Sequence, residues 1–171
     1  MRDALIVIDV INRFDHDDGD ALLRSFRDHL PQMTKAISDA RAYGVPVVYV
    51  NDAAGRWDGN APAHVRTAIE NGRGGDVVQQ LAPMSGDDVV FKPRYSIFDG
   101  TPVASLLRDR EVERILLMGA ATEGCVVQSG IDGRELGFKV TILAHACASP
   151  DEEVERIALA YAERVGGIRI A

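Results

Sequence analysis

Five consecutive apolar residues, 4–8, stand near the start of the chain, and the run breaks at Asp9 before Val10 and Ile11 resume it. A strand with one face in water alternates apolar and polar residues. This run does not alternate, so it reads as a strand (4–10) covered on both faces. The chain then repeats the theme. Residues 20–43 carry Leu22, Leu23, Phe26, Leu30, Met33, Ile37 and Ala40 at helical spacing, and Gly44 sits where a C-cap glycine belongs. Further short apolar runs at 45–50, 89–91, 115–118, 139–143 and 168–170 read as strands. Helices are expected at 101–110, 123–136 and 150–165. Residues 51–87, rich in Gly, Asn, Asp and Pro, read as a long surface excursion with one or two short helices. Strands alternating with helices give an α/β fold. The expectation is one domain over 1–171: a doubly wound, mainly parallel, Rossmann-like sheet of six strands, with helices on both faces.

Bulk properties narrow the function classes. With 46% hydrophobic and 26% charged residues, 171 residues suffice for one sizeable core. A net charge of -7 disfavours nucleic acid as a partner. No apolar run approaches the roughly 20 residues of a membrane span, and residues 4–8 are too short for a secretory leader. Cys125 and Cys147 form no CxxC pair, so neither a disulfide framework nor a redox dithiol is expected, and a reducing cytoplasm is the expected location. A dinucleotide-binding protein would place GxGxxG after the first strand, where this chain has Asn12-Arg13-Phe14. An aspartate-based phosphatase would want a second Asp at position 11, which is Ile.

Ligand sites of parallel α/β sheets lie beyond the carboxyl ends of the strands. Three reactive side chains fall there. Asp9 ends the first strand, and a carboxylate at that point needs partners or solvent. Lys92 follows Val89-Val90-Phe91. Cys125 follows a strand and the turn Gly119-Ala120-Ala121-Thr122-Glu123-Gly124, and is expected to open a helix. The positive end of a helix favours thiolate over thiol. A nucleophile, a base and a cation at one end of one sheet form a catalytic constellation.

The residues around these three resemble the isochorismatase-like hydrolase superfamily, which includes nicotinamidases, carbamoyl-amide hydrolases and isochorismatase. The likeness covers nearly the whole chain. It rests on the apolar strand ending in Asp9 with Asn12 and Phe14 after it, on Val-Val-Tyr-Val-Asn51-Asp52, on Phe91-Lys92-Pro93-Arg94-Tyr95-Ser96-Ile97-Phe98, and most specifically on the loop Gly119–Cys125-Val126. Ile11 departs from the usual Gln. The resemblance implies Cys125 as nucleophile, Asp9 as proton acceptor and donor, Lys92 as third member, the backbone N–H groups of Ala121 and Cys125 as oxyanion hole, and a cis peptide between Ala120 and Ala121. It also implies a homodimer or homotetramer, with Arg73, Gly74 and their loop as the expected interface.

Nicotinamidases begin a metal site with Asp-x-His. Here the segment reads Asp52-Ala53-Ala54, so no metal and no cofactor are expected. His145 stands where the superfamily commonly has Asp. Phe14, Trp57, Tyr95 and Phe98 are expected to wall a pocket for a small-molecule substrate, with Arg56 and Arg94 as carboxylate binders. Cys125 points to attack on an amide-type C–N bond through a thioester acyl-enzyme. The alternatives are a vinyl-ether hydrolase of the isochorismate type and a non-catalytic binding or scaffold domain.

Overall fold

The computed structural model describes residues 1–53, 55 and 59–171. Ala54, Arg56 and Trp57, and the readings attached to them, lie outside the described residues. The elements run β1 (Asp3–Ile8), α1 (Gly19–Ala42), β2 (Val47–Asp52), α2 (Ala61–Asn71), α3 (Gly75–Leu81), β3 (Asp88–Lys92), α4 (Val103–Asp109), β4 (Arg114–Ala120), a wide π-type turn (Thr122–Val126), α5 (Val127–Glu135), β5 (Lys139–Ala148), α6 (Glu152–Arg164) and β6 (Arg169–Ile170). The sheet order is β3-β2-β1-β4-β5-β6, and every neighbouring pair is parallel.

The unalternating β1 run has the explanation its composition demands. Leu5 and Val7 pack into one core with Phe26 and Met33 of α1 and Val77, Val78 and Leu81 of α3. Ala4, Ile6 and Ile8 pack into the other with Val103 and Leu107 of α4, Val127 of α5 and Ala162 of α6. Full burial of such side chains contributes about 1.5–3 kcal/mol each. Helices α1–α3 thus cover one face and α4–α6 the other. Strand order reverses between β1 and β4, which opens a crevice at their carboxyl ends.

Gly119 makes that crevice possible. Its φ is +119°, and a Cβ there would run into the backbone of Ile8 on the neighbouring strand. Only glycine lets β4 pass so close to β1 at the switch point. The β4–β5 register also shifts between Leu117 and Gly119.

One expectation changes here. Strand β5 does not stop at 143. Cys147 and Ala148 pair with Gly119 and Ala120, and the small side chains of Ala146 and Ala148 fit the core beneath α1. Sheet pairing outweighs the low strand propensity of this alanine-rich segment. His145 is exposed near the end of β5, its Nδ1 3.2 Å from the Ala171 carbonyl oxygen. In the loop at 73–74, Arg73 is exposed and Gly74 packs inward. Gly74 is buried so close to Phe14 that a Cβ would stand 2.6 Å from the ring, and Arg73 pairs with Asp20 at 2.8 Å.

Candidate active site

Asp9 leaves β1 in the left-handed conformation, with φ of 51°. Aspartate tolerates this region better than most residues, and the turn brings its carboxyl across the end of β2 toward β3. The Asp52 N–H donates to Asp9 Oδ1 (2.6 Å). On the other oxygen, Lys92 Nζ lies 2.8 Å from Oδ2. Lys92 ends β3 and is 1% exposed. Its ammonium also donates to the Arg94 carbonyl (3.0 Å) and reaches Cys125 Sγ at 3.3 Å. The thiol is in turn hydrogen-bonded with the Asp9 carboxyl. The three side chains therefore touch one another, although they come from positions 9, 92 and 125.

Asn51 holds the loop after β1 in place. Its Oδ1 accepts from the Ile11 N–H (3.0 Å), and its Nδ2 donates to the Ile11 carbonyl (3.1 Å). This two-way clamp leaves Asp9 little room to move. Asn12 Oδ1 accepts from the Phe14 N–H (2.7 Å) and fixes the next turn.

Cys125 does not open a regular helix. It lies within the Thr122–Val126 turn, where the Val126 N–H reaches back to the Ala121 carbonyl (3.3 Å), and α5 begins only at Val127. Wide turns of this type recur at functional sites. The peptide bond between Ala120 and Ala121 is cis. Thr122, fully buried, donates to Glu155 Oε1 (2.6 Å), which ties the turn to α6.

Protonation also departs from the sequence expectation. Burial first, and then the facing Asp9 charge, push the Cys125 thiol up to about 12, against the pull of Lys92. Burial likewise raises the Asp9 carboxyl above its ordinary value, although Lys92 opposes it. For Lys92, burial works to lower the value, but the Asp9 carboxylate outweighs it and the net shift is upward. At neutral pH the sulfur therefore keeps its proton, beside the Asp9–Lys92 pair. A helix end does not hold a standing thiolate here.

A cavity of about 570 Å³ opens onto this group, lined by Asp9, Cys125, Ala120 and Ala121 at its base. That volume suits a small molecule. Ile11, Leu22 and Ala68 supply apolar wall, and Asn12, Arg13, His64 and Thr67 supply polar groups. Tyr95 lines the cavity and is 69% exposed, at its mouth.

Phe14 and Phe98 do not wall the cavity. Phe14 is fully buried under the α1 layer, edge-on to Phe26 at 5.2 Å between ring centres. Phe98 stacks on Phe138 at 5.9 Å in the opposite core. Each ring has found an apolar partner away from the crevice. Arg94 is spent on a two-oxygen pair with Asp99 (2.8 Å to each) and is not among the cavity residues.

The sequence reading missed His64. It is buried, lines the cavity, packs against Phe91 at 4.7 Å, and among the described residues its Nε2 has no hydrogen-bond partner. A lone histidine on an amphipathic helix gave no signal for this. A nicotinamidase-type metal site would need donors at the end of β2. Asp52 and His64 line the cavity, but alanine at 54 supplies no donor. Among the described residues no group of three or more His, Cys, Asp or Glu side chains converges. They do not fit such a site.

A thiol, a carboxylate and an ammonium in mutual contact at the switch point of a parallel α/β sheet form the working parts of a hydrolase. A family model described as the isochorismatase domain matches residues 3–170. The uncharacterised isochorismatase family protein YaaI of Bacillus subtilis (strain 168) is 29% identical over 162 residues, 95% of this chain and 89% of that protein. Ureidoacrylate amidohydrolase RutB of Serratia proteamaculans (strain 568) is 31% identical over 172 residues, 84% of this chain and 68% of that protein. The crystal structure of N-carbamoylsarcosine amidase from Thermoplasma acidophilum matches with a TM-score of 0.76 at 27% identity, over 99% of this chain and 95% of that one. The chain is a hydrolase of the isochorismatase family. Among the described residues no helix is long and apolar enough to cross a membrane.

Proposed function

We propose that this chain hydrolyses a small amide-type C–N bond by covalent catalysis, with Cys125 as nucleophile. The observation that carries the reading is the three-way contact of Cys125, Asp9 and Lys92 at the base of the cavity. Because the thiol keeps its proton at rest, attack and deprotonation occur together. The sulfur adds to the substrate carbonyl while its proton passes to the Asp9 carboxylate. Lys92 holds Asp9 in position and offsets the charge on sulfur as it forms. The N–H groups of Ala121 and Cys125 receive the oxyanion. Asp9 then gives the proton to the departing nitrogen, the C–N bond breaks, and the acyl group remains on sulfur as a thioester. Water attacks the thioester, Asp9 takes its proton and returns it to sulfur, and the carboxylic acid leaves.

His64 offers on the cavity wall an imidazole nitrogen that is unpaired among the described residues, so a substrate with a polar group beyond the scissile carbonyl gains a hydrogen bond there. A vinyl-ether hydrolase has no use for a thiol in contact with its base. The names of the relatives, ureidoacrylate amidohydrolase and N-carbamoylsarcosine amidase, favour the amide reading. Both cysteines are free thiols, which suits a reducing cytoplasm.

The test is an ammonia-release screen over small amides, ureides and carbamoyl acids, with rapid-quench intact-mass measurement on the best substrate. The expected result is turnover together with a transient mass increase equal to the acyl group. Turnover of a vinyl ether and of no amide would overturn the proposal.

A further inference from the structure

Helix α6 is apolar on two faces. One face packs inward through Ala158, Leu159 and Ala162. The other leaves Val154 (45%), Ile157 (55%), Tyr161 (52%) and, at the C-cap, Val165 (68%) exposed. Their spacing of three, four and four residues places all four on one stripe about 16 Å long. Four of the nine exposed large hydrophobic residues among the described ones stand on this stripe. Single exposed apolar residues need no explanation, but an aligned row of them marks a contact surface.

The stripe also reads nearly the same in both directions about Leu159. An antiparallel copy related by a two-fold axis through that point sets Ile157 against Tyr161 of the other copy, and Val154 against Val165. The charges beside the stripe follow the same rule. Glu153, near the start of the helix, and Arg164, at its end, lie on one flank, and the two-fold brings Glu153 of one copy level with Arg164 of the other. Within the chain Glu153 pairs only with its helix neighbour Arg156, and Arg164 enters no ion pair among the described residues.

We propose that α6 is the self-association face of this protein, and that its occupant is α6 of a second copy packed antiparallel about a two-fold axis. Such an interface is isologous and closes at the dimer. A contact centred on one helix falls at the low end of specific interfaces, roughly 1,200 Å² in total, so the dimer should dissociate in the micromolar range. The inner side of the same helix carries Glu155, the acceptor for Thr122 in the nucleophile turn. The dimer contact would therefore form on the helix that anchors that turn.

Sedimentation velocity of the full chain from about 1 to about 100 μM tests this. The wild type should move from 18.5 kDa toward twice that mass across the range. Ile157→Asp should stay monomeric throughout with unchanged circular dichroism and thermal unfolding, because the side chain is exposed; Tyr161→Glu provides the same test should Ile157→Asp fold poorly. Arg164→Glu should raise the dimer Kd at least about tenfold, and adding Glu153→Arg should restore it to within about threefold, since two facing charges are exchanged. A wild type monomeric at 100 μM, a dimer that survives both Ile157→Asp and Tyr161→Glu, or a charge exchange that fails to restore association would each overturn the proposal.

Discussion

The Lys92 ammonium stands 2.8 Å from Asp9 Oδ2, and this contact joins the end of the outermost strand to the end of a central one. The same ammonium reaches the Cys125 sulfur at 3.3 Å. One buried cation thus serves both the base and the nucleophile, and the two can be separated by experiment.

Asp9→Asn should divide reactivity from catalysis. Removing the facing negative charge lowers the thiol pKa, because Asp9 is one of the groups holding it up at about 12. Iodoacetamide should therefore label Cys125 faster at pH 8 in the variant than in the wild type. Turnover should fall by roughly two to four orders of magnitude, because the base is gone. In the wild type, the acid limb of kcat/KM should lie above the ordinary carboxylate range, since burial raises the Asp9 pKa. Slower labelling of Asp9→Asn would show that the carboxylate supports a standing thiolate.

Lys92→Met should act in the opposite sense on the thiol and also on stability. Loss of the cation raises the Cys125 pKa further, so alkylation slows at every pH. It also leaves Asp9 buried without its partner, at a cost of about 3–5 kcal/mol near neutral pH. The sign of the pH dependence follows from the Asp9 carboxyl, whose folded-state pKa is already raised. Without Lys92 it rises more. The loss should therefore be largest above that value and shrink as the pH falls and the carboxyl takes up a proton. Urea unfolding of wild type and variant at pH 7.5 and pH 5 measures it. An equal loss at both values would place the damage elsewhere.

These effects show where sequence reading reached and where it stopped. Asp9 was legible because it is the one polar residue in a run that must be covered on both faces, and Cys125 because it follows a strand and a glycine-flanked turn. The direction of the thiol shift was not legible. A sequence shows that a helix follows Cys125, but it does not show that the sulfur is buried or that it faces Asp9. Phe14 and Phe98 misled for a related reason. An aromatic residue beside a site motif is equally suited to a core, and the partners that decided the matter, Phe26 and Phe138, lie 12 and 40 residues away. Asn51 and His64 act only through tertiary neighbours. The length of β5 depended on a pairing with Gly119 and Ala120 that no local propensity encodes.

Gly119→Ala should destabilise the fold out of proportion to the one methyl group added. The Cβ meets the Ile8 backbone at a φ of +119°, so neither strand can yield without breaking its pairing. A loss of about 2–4 kcal/mol is expected from chemical denaturation. A loss under about 0.5 kcal/mol would mean that the switch point is looser than its geometry indicates.

Chelation should leave turnover unchanged. The motive is Ala54, which supplies no donor where a nicotinamidase-type site begins, and the absence of a converging donor group among the described residues around Asp52 and His64. Assay after exhaustive dialysis against a chelator, with metal analysis of the purified protein, checks it. Stoichiometric metal whose removal abolishes the rate would refute the expectation.

Turnover by Cys125→Ala on the best substrate of the wild type decides whether Cys125 is the nucleophile. The thiol and a methyl group are close in size, so the fold should survive. Cys147→Ala serves as the control, because that thiol is fully buried in the core beneath α4–α6 and is not among the cavity residues. Cys125→Ala should lose at least about three orders of magnitude in kcat, while Cys147→Ala should retain the wild-type rate. Retention of more than about a hundredth of the rate by Cys125→Ala would contradict covalent catalysis and leave Asp9-led acid–base chemistry in its place.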